Sequence, residues 1–217
     1  LESAPYVNMT VNSLALFGAK PCRSGSEFKI NAASKLTSPK NLAVEGDWSN
    51  AVFTDIFNYL EGDVLVKGLD ENSLQGDRIY REHLKALYKE KAVIDISDCP
   101  DLAPVLITYA AFKNGALFTG TKRLEIKESD RGNAIKEELE KLGAKITVLE
   151  NEIDVQPAVI RPTKEPLYGH NDHRIVMSLA VILSTVGGKI EGAEAVSKSY
   201  PNFFEDIAKL GIEVTLK

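Results

Sequence analysis

The chain repeats one order of structural segments three times, and this repeat restricts the possible fold more than any other feature. Each copy consists of an apolar helix, a strand that begins with glycine, a polar loop, an amphipathic helix and a closing strand. A single unit of this kind cannot bury its own apolar face, so neighbouring units must stack around a shared core. The pattern therefore predicts an α/β domain of repeated helix–strand units.

The segments keep the same order in each copy. The first helices are predicted at residues 50–60, 102–113 and 174–186, and the glycine-led strands at 62–66, 115–119 and 188–191. The second helices are predicted at 77–88, 130–142 and 201–210, and the closing strands at 92–96, 145–148 and 212–214. Gly143 and Gly211 follow two of the second helices, where a helix end favours a residue with positive φ.

The beginning of the chain matches only the second half of a unit. Residues 5–30 contain a helix, Gly18 as its cap and a late strand, and residues 31–43, rich in Ser, Lys, Pro and Asn, read as a linker. Because half a unit cannot bury its apolar face, we expect upstream sequence to complete it. The predicted organisation is the tail of an incomplete first domain plus a linker over residues 1–43, and a three-repeat domain over residues 44–217.

Composition excludes several classes of partner. The 217 residues carry a net charge of −5, so no overall basic field attracts nucleic acid or an anionic membrane. The longest apolar run, residues 175–186, is interrupted by Ser and Thr and is too short to cross a bilayer. Cys22 and Cys99 lack the spacing of metal ligands, which favours a reducing compartment such as the cytoplasm.

A dense charge cluster, Lys127-Glu128-Ser129-Asp130-Arg131, lies where a strand-like run over residues 117–126 gives way to a helix. The first turn of a helix carries unpaired N–H groups and the positive end of the helix dipole, which attract anions. Lys127 and Arg131 would add to that field, and Glu128 between them is a candidate proton donor or acceptor. The alternative is a set of ion pairs on a solvated helix start.

Other functional side chains are predicted at equivalent helix starts. Asp101 and Arg174 open the first helices of the second and third copies, and Lys198 opens the last second helix. If the copies stack with pseudo-symmetry, these starts converge on one mouth. Asp101 can also be only a helix cap, a role that Asp47 is expected to fill for its own helix, and His173 is interpreted as structural.

Seven motifs follow one another along the chain: Ser3-Ala4-Pro5-Tyr6, Val44-Glu45-Gly46-Asp47, Ser73-Leu74-Gln75-Gly76-Asp77, Pro100-Asp101, Lys127-Glu128-Ser129-Asp130-Arg131, Asn171-Asp172-His173-Arg174 and Lys198-Ser199-Tyr200-Pro201. In this order they resemble the C-terminal half of the 5-enolpyruvylshikimate-3-phosphate synthase (3-phosphoshikimate 1-carboxyvinyltransferase) family. The resemblance implies an inside-out α/β barrel-like domain of repeated βαβαββ units, with a partial unit of the second domain at the N-terminus.

The resemblance also implies an activity and the residues that perform the chemistry. The family transfers the enolpyruvyl group of phosphoenolpyruvate to the 5-hydroxyl of shikimate 3-phosphate and releases phosphate, in aromatic amino acid biosynthesis, without a metal or organic cofactor. By resemblance, Asp101 contacts the shikimate hydroxyls and takes the 5-hydroxyl proton, and Lys127 contacts the same substrate near the reacting centre. Glu128 matches the acid that protonates the methylene carbon of phosphoenolpyruvate.

Binding roles follow from the same resemblance. Arg131, Arg174 and Lys198 match the cations that hold phosphoenolpyruvate. Ser3 matches a serine at the phosphate of shikimate 3-phosphate, and Tyr6 a neighbour of it. No partner other than these small molecules and the missing N-terminal half of the same enzyme is expected.

Two alternatives to this interpretation remain, and one position departs from the family pattern. The related UDP-N-acetylglucosamine enolpyruvyl transferases share the fold but lack the signature at residues 171–174, and a folded fragment without catalytic activity is the other alternative. Arg123 occupies a position where some family members have an asparagine that contacts shikimate phosphate. Because the family's remaining substrate ligands lie upstream of Leu1, we expect this chain alone to be inactive.

Overall fold

The computed structural model describes residues 3–25, 27–31 and 35–216. The chain begins with helix α1 (Ala4–Leu16) and a hairpin of strands β1 (Cys22–Ser24) and β2 (Glu27–Lys29). Gly18 follows α1 with a φ of 87°, as expected for a helix cap. Helix α1 buries none of its residues, so this segment does not contribute to the core described below.

The middle of the chain forms one complete βαβαββ unit. Its elements are β3 (Ala92–Asp95), α4 (Ala103–Ala111), β4 (Ala116–Thr119), α5 (Arg131–Lys141), β5 (Lys145–Val148) and β6 (Glu152–Gln156). The strands form a sheet in the order β3-β4-β6-β5, in which β3 and β4 are parallel and the other neighbours antiparallel. This is the repeated unit that the resemblance implies.

The flanking copies contain more helix and less strand. The first contributes α2 (Trp48–Asp55) and α3 (Tyr80–Lys89), and the third contributes β7 (Leu167–Tyr168), α6 (His173–Val186), β8 (Ile190–Glu191) and α7 (Phe203–Lys209). Strands β7 and β8 pair in parallel. Asp47 caps α2 by accepting from the N–H groups of Ser49 and Asn50, which confirms the predicted cap.

Two apolar helices form the centre of the core. Every residue of α4 is buried, and so are the eleven residues of α6 from His173 to Leu183. A helix that is apolar on all sides must be surrounded, and α4 packs against α6, α5, α3 and strand β6. Across the described residues, no helix is both long enough and apolar enough to span a bilayer.

Several strand predictions were wrong for local reasons. Residues 62–66 form no strand because the Asn58 side chain occupies both backbone groups of Val64, with Nδ2 2.8 Å from its carbonyl and Oδ1 2.6 Å from its N–H. Residues 212–214 are not a strand either, and the run 117–126 ends as β4 at Thr119, before a 3-10 turn. Strands β6 and β7 were not predicted.

The predicted helix ends are confirmed more closely than the strands. Gly143 and Gly211 both have a φ of 96° and follow α5 and α7. This positive φ costs glycine little, whereas a residue with a Cβ atom is strained there.

Candidate active site

Strand topology brings the candidate residues of the middle unit together. Because β3 and β4 are parallel, their carboxyl ends lie at the same edge of the sheet. Asp101 follows β3 in the 3-10 turn Pro100–Leu102, and the segment from Lys127 to Arg131 follows β4. Ligands of open α/β sheets bind outside the carboxyl ends of strands, so this edge is the expected place for a site.

Arg131 is the centre of the site. Its side chain is only 1% exposed and contacts three carboxylates. Nη1 lies 2.7 Å from Asp101 Oδ1, Nη2 lies 2.6 Å from Glu128 Oε2, and Nε lies 2.8 Å from Asp172 Oδ2. Burial alone would lower the pKa of Arg131, but the hydrogen bonds and charges of these carboxylates raise it. The guanidinium therefore stays charged and fixes the three acids relative to one another.

Asp101 is surrounded by cations. Lys127 Nζ lies 3.1 Å from its Oδ1, and Arg174 Nη2 lies 3.9 Å from its Oδ2, in addition to the contact with Arg131. Burial opposes ionisation, but the charges of Arg174, Arg131 and Lys127 lower the pKa of Asp101 to about 2. The carboxylate is therefore ionised at neutral pH and able to accept a hydrogen bond from a hydroxyl.

Asp172 and Arg174 join the third copy to this site. Asp172 is fully buried and caps α6 by accepting from the N–H of Arg174 at 2.9 Å while it contacts Arg131. Arg174 Nη1 donates to the carbonyl of Ser49 at 2.5 Å, and its buried Nε has no hydrogen-bond partner among the described residues. The starts of α5 and α6 and the turn before α4 thus converge, as the repeat predicted. The start of α2 joins them through Ser49, which the prediction did not include.

Charge is balanced within this site, here called the Arg131 cluster: Asp101, Lys127, Glu128, Arg131, Asp172 and Arg174. It contains three carboxylates and three cations, and each cation contacts a carboxylate. The start of α5 is also occupied, because Asp130 caps the helix by accepting from the N–H of Asn133 at 3.2 Å. An anion at the helix terminus itself, as the sequence suggested, would have to compete with Asp130.

Among the residues that the structure describes, Lys198 forms no ion pair with a carboxylate of the cluster, and its position differs from the predicted one. It ends a 3-10 turn, Ala193–Lys198, whereas α7 begins at Phe203, so the prediction that Lys198 opens this helix was wrong. Its exposed ammonium donates to the carbonyl of Asn171, the residue before Asp172. Because β7 and β8 are parallel, the segments that carry Asn171 and Lys198 leave the same edge of their sheet.

The N-terminal candidates reach the same region. Ser3 Oγ accepts from Arg123 Nη1 at 2.5 Å. The two positions that the resemblance associates with shikimate phosphate are therefore in contact. The buried Tyr6 hydroxyl lacks a hydrogen-bond partner among the described residues. Burial, followed by the negative charges of Asp77 and Asp101, raises the pKa of Tyr6 far above its usual range.

Asp77 gives the domain a predicted pH dependence. It is fully buried and accepts from Ser49 Oγ, and burial raises its pKa to about 6 against that opposing hydrogen bond. The pKa of an unfolded Asp is about 3.9, so the folded protein binds this proton more tightly. It therefore loses about 2–3 kcal/mol of stability as the pH rises from 4 through 6. In Asp77→Asn this loss should disappear, as measured by urea denaturation between pH 4 and 7.

The exposed Asp63 provides the control, because Asp63→Asn makes the same change in charge. It should keep the wild-type slope of stability against pH. An equal slope in Asp77→Asn and wild type would contradict the assignment of this titration to Asp77.

Sequence reasoning assigned no role to two of the central acids. Asp172 was quoted within a motif, and Asp77 within another, but neither was selected as a site residue. The available signal was the position of Asp172 directly before an apolar helix, which is typical of a helix cap. Its second partner, Arg131, is 41 residues away and could not be inferred from local pattern.

One group of side chains has the composition of a metal site. Among the residues that the structure describes, Glu137, Glu138 and His170 place one possible ligand atom each within 4.8 Å of one another. Lys141 Nζ, however, lies 2.8 and 2.9 Å from the two oxygens of Glu138. Its positive charge already balances the buried carboxylate, so the group does not require a metal ion.

Comparison with known proteins gives the class of this fold. EPSP synthase from Acinetobacter baumannii superposes with a TM-score of 0.74 at 23% identity, over 95% of this chain and 55% of that one. The enolpyruvyl transferase NikO from Streptomyces tendae superposes with a TM-score of 0.69 at 16% identity, over 98% of this chain and 54% of that one. The domain therefore has the fold of the enolpyruvyl transferases.

Sequence comparison identifies the family. The profile of EPSP synthase (3-phosphoshikimate 1-carboxyvinyltransferase) matches residues 1–207, and the chain belongs to this family. A 3-phosphoshikimate 1-carboxyvinyltransferase from Clostridium kluyveri is 39% identical over 99% of this chain, and one from Methanopyrus kandleri is 33% identical over 99%. The chain spans about half the length of these curated relatives, 54% in both cases.

Proposed function

We propose that this chain provides the C-terminal half of a 3-phosphoshikimate 1-carboxyvinyltransferase, which transfers the enolpyruvyl group of phosphoenolpyruvate to the 5-hydroxyl of shikimate 3-phosphate. The observation that carries the proposal is that Asp101 and Glu128 share the buried guanidinium of Arg131 at 2.7 and 2.6 Å. Two carboxylates held on one fixed cation can act on the two ends of a single addition.

The proposed chemistry uses these carboxylates in opposite directions. Glu128 must first take up a proton, which loss of water on cleft closure favours, and it then donates this proton to the methylene carbon of phosphoenolpyruvate. The neighbouring carbon becomes electrophilic, while the ionised Asp101 accepts the proton of the attacking 5-hydroxyl. The new carbon–oxygen bond gives a tetrahedral intermediate. Loss of phosphate and of a proton from the new methyl group then restores the enol ether.

Cations are proposed to hold phosphoenolpyruvate through its carboxylate and phosphate. Arg131, Arg174 and Lys198 carry this role, and they would also stabilise phosphate as it leaves. Because Arg131 and Arg174 already contact Asp101, an incoming anion must share or displace existing ion pairs. The buried Arg174 Nε lacks a partner among the described residues, so an anion that reached it would gain a donor without breaking a contact.

Shikimate 3-phosphate is proposed to contact Asp101 and Lys127 at its ring and Ser3 and Tyr6 near its phosphate. The contact between Arg123 and Ser3 supports an anion at this end, because a phosphate there would meet a guanidinium as well as a hydroxyl. This arrangement would replace the asparagine of some family members with a charged donor.

Residues 1–43 are proposed to belong to a second domain that is completed by upstream sequence. Helix α1 buries no residue, and apolar side chains of this region are exposed, including Ile30 at 52% and Leu36 at 62%. Contacts do anchor its start, since the N–H of Ala4 donates to Asp98 Oδ1 at 3.0 Å. Both cysteines are free, which agrees with a reaction in the cytoplasm.

Reconstitution tests this function. The isolated chain should release negligible phosphate from phosphoenolpyruvate and shikimate 3-phosphate, because half a cleft cannot position both substrates. Fused behind the N-terminal half of the Clostridium kluyveri relative, it should gain activity, and UDP-N-acetylglucosamine should not replace shikimate 3-phosphate. Near-normal turnover by the isolated chain would contradict the two-half proposal, and preference for the nucleotide sugar would contradict the substrate.

A further inference from the structure

Glu138 is a fully buried carboxylate outside the Arg131 cluster. It lies seven residues after Arg131, two turns along the same face of α5. Its Oε2 accepts from the N–H of Tyr168 at 2.8 Å, and its Oε1 lies 3.0 Å from His170 Nε2. Lys141 balances its charge. Burying a carboxylate is unfavourable unless it is paired and hydrogen-bonded. The hydrogen-bond partners of Glu138 lie in and beside the segment between β7 and α6, so its contacts hold that segment.

This segment has an unfavourable backbone. His170 and Asn171 have φ values of 49° and 50°, so two consecutive residues with Cβ atoms occupy the left-handed region. Asparagine tolerates this region, but the histidine conformation costs about 1 kcal/mol or more and persists only where its surroundings hold it. Helix α5 supplies that support at two points, through Glu138 at one end of the segment and Arg131 bound to Asp172 at the other.

This segment between β7 and α6, residues 169–172, determines where the proposed phosphoenolpyruvate cations lie. The carbonyl of Asn171 accepts from Lys198. Asp172 contacts Arg131 Nε at 2.8 Å and the N–H of Arg174 at 2.9 Å. A relaxation of His170 and Asn171 toward ordinary φ values would move both acceptors, and with them all three cations.

We propose that Glu138 and His170 form a latch that holds residues 169–172 in their left-handed conformation and thereby positions Lys198, Arg131 and Arg174. Glu138 is a positioning residue, since it acts through this segment and not on substrate. The consequence for anion binding rests on the proposed function, whereas the consequence for the segment does not.

Amide hydrogen exchange on the full 217-residue chain tests the latch directly. Glu138→Gln removes the charge and one acceptor. Glu140→Gln is the matched control, because Glu140 is an exposed acid of the same helix that pairs with Lys136 and lies outside the group of Glu137, Glu138 and His170. Exchange at the N–H groups of Asp172 and Arg174 should accelerate about tenfold in Glu138→Gln but not in the control. Amides of strands β5 and β6 should keep their wild-type rates, because a latch opens locally.

His170→Asn provides a second variant if the buried substitution impairs folding. The His170 side chain is 20% exposed, and asparagine tolerates the left-handed region but is too short to repeat the contact with Glu138. It should accelerate the same two amides. Unchanged rates at these amides, or equal acceleration in β5 and β6, would overturn the latch.

Calorimetric titration with phosphoenolpyruvate separates this proposal from the function. In both variants the dissociation constant should rise about tenfold over wild type, because a shift of the three cations misplaces the donors. The titration uses the fusion with the N-terminal half of the Clostridium kluyveri relative, because the isolated chain forms only half of the cleft. If the wild-type fusion does not bind phosphoenolpyruvate while the amides respond as expected, the latch stands and the proposed function fails. Opened amides with unchanged affinity would overturn the positioning role.

Discussion

Replacing Arg131 with methionine is expected to lower the free energy of unfolding by about 3–5 kcal/mol, because it removes one partner from a buried ion-pair network. The guanidinium is 1% exposed and Asp172 is fully buried, so water cannot replace the lost contact. Methionine fills much of the same volume, which limits the contribution of a cavity. Urea denaturation of the isolated chain at pH 7 measures the effect.

Two further variants show whether charge or packing is responsible. Arg131→Lys keeps the charge but cannot contact three carboxylates at once, so an intermediate loss is expected. Adding Asp172→Asn to Arg131→Met removes the unpaired acid and should recover part of the stability. A loss below about 1 kcal/mol in Arg131→Met, the range of an exposed ion pair, would contradict the central role of this residue.

Replacing Glu128 with glutamine in the reconstituted enzyme is expected to reduce phosphate release by about 10²- to 10⁴-fold, the usual contribution of a positioned acid. Glutamine retains an oxygen that can accept from Arg131, and the side chain is 40% exposed, so the fold and substrate binding should be kept. Steady-state phosphate release, with calorimetry for substrate binding, separates the two effects.

Glu125 provides the control for Glu128, since it is an exposed acid in the preceding 3-10 turn. Glu125→Gln makes the same change in charge and should retain the wild-type rate. A wild-type rate in Glu128→Gln would remove this residue from the acid role and leave the proton donor to be sought in the other half of the cleft.

The motifs predicted which residues meet in the candidate site more completely than they predicted the positions of those residues in the fold. Asp101, Lys127, Glu128, Arg131 and Arg174 were all selected, and contacts of 2.6 to 3.9 Å connect them. Lys198 was selected as well, but its predicted helix start was wrong. A serine followed two residues later by a proline, as in Ser199 and Pro201, is typical of a helix start. Here, however, the 3-10 turn continues to Lys198 and α7 begins at Phe203.

Strands show a limit of local pattern. Residues 62–66 and 115–119 have similar sequences, but only the second became a strand, β4. β4 has β3 and β6 as neighbours, whereas the Asn58 side chain satisfies the backbone of Val64 in the first. A strand depends on a partner that is often distant in the chain, so its amino-acid pattern is not sufficient.

Local sequence pattern was sufficient to predict the repeat, the family and the helix ends at Asp47, Gly143 and Gly211, because caps depend on interactions over a few residues. The contact of Arg131 with Asp172, 41 residues away, and the support that Glu138 gives to the segment before α6 became visible only in the folded domain. Those contacts arise from the parallel strands and the stacking of three units around α4 and α6. Their distances are set by packing across the whole domain, which no local pattern encodes.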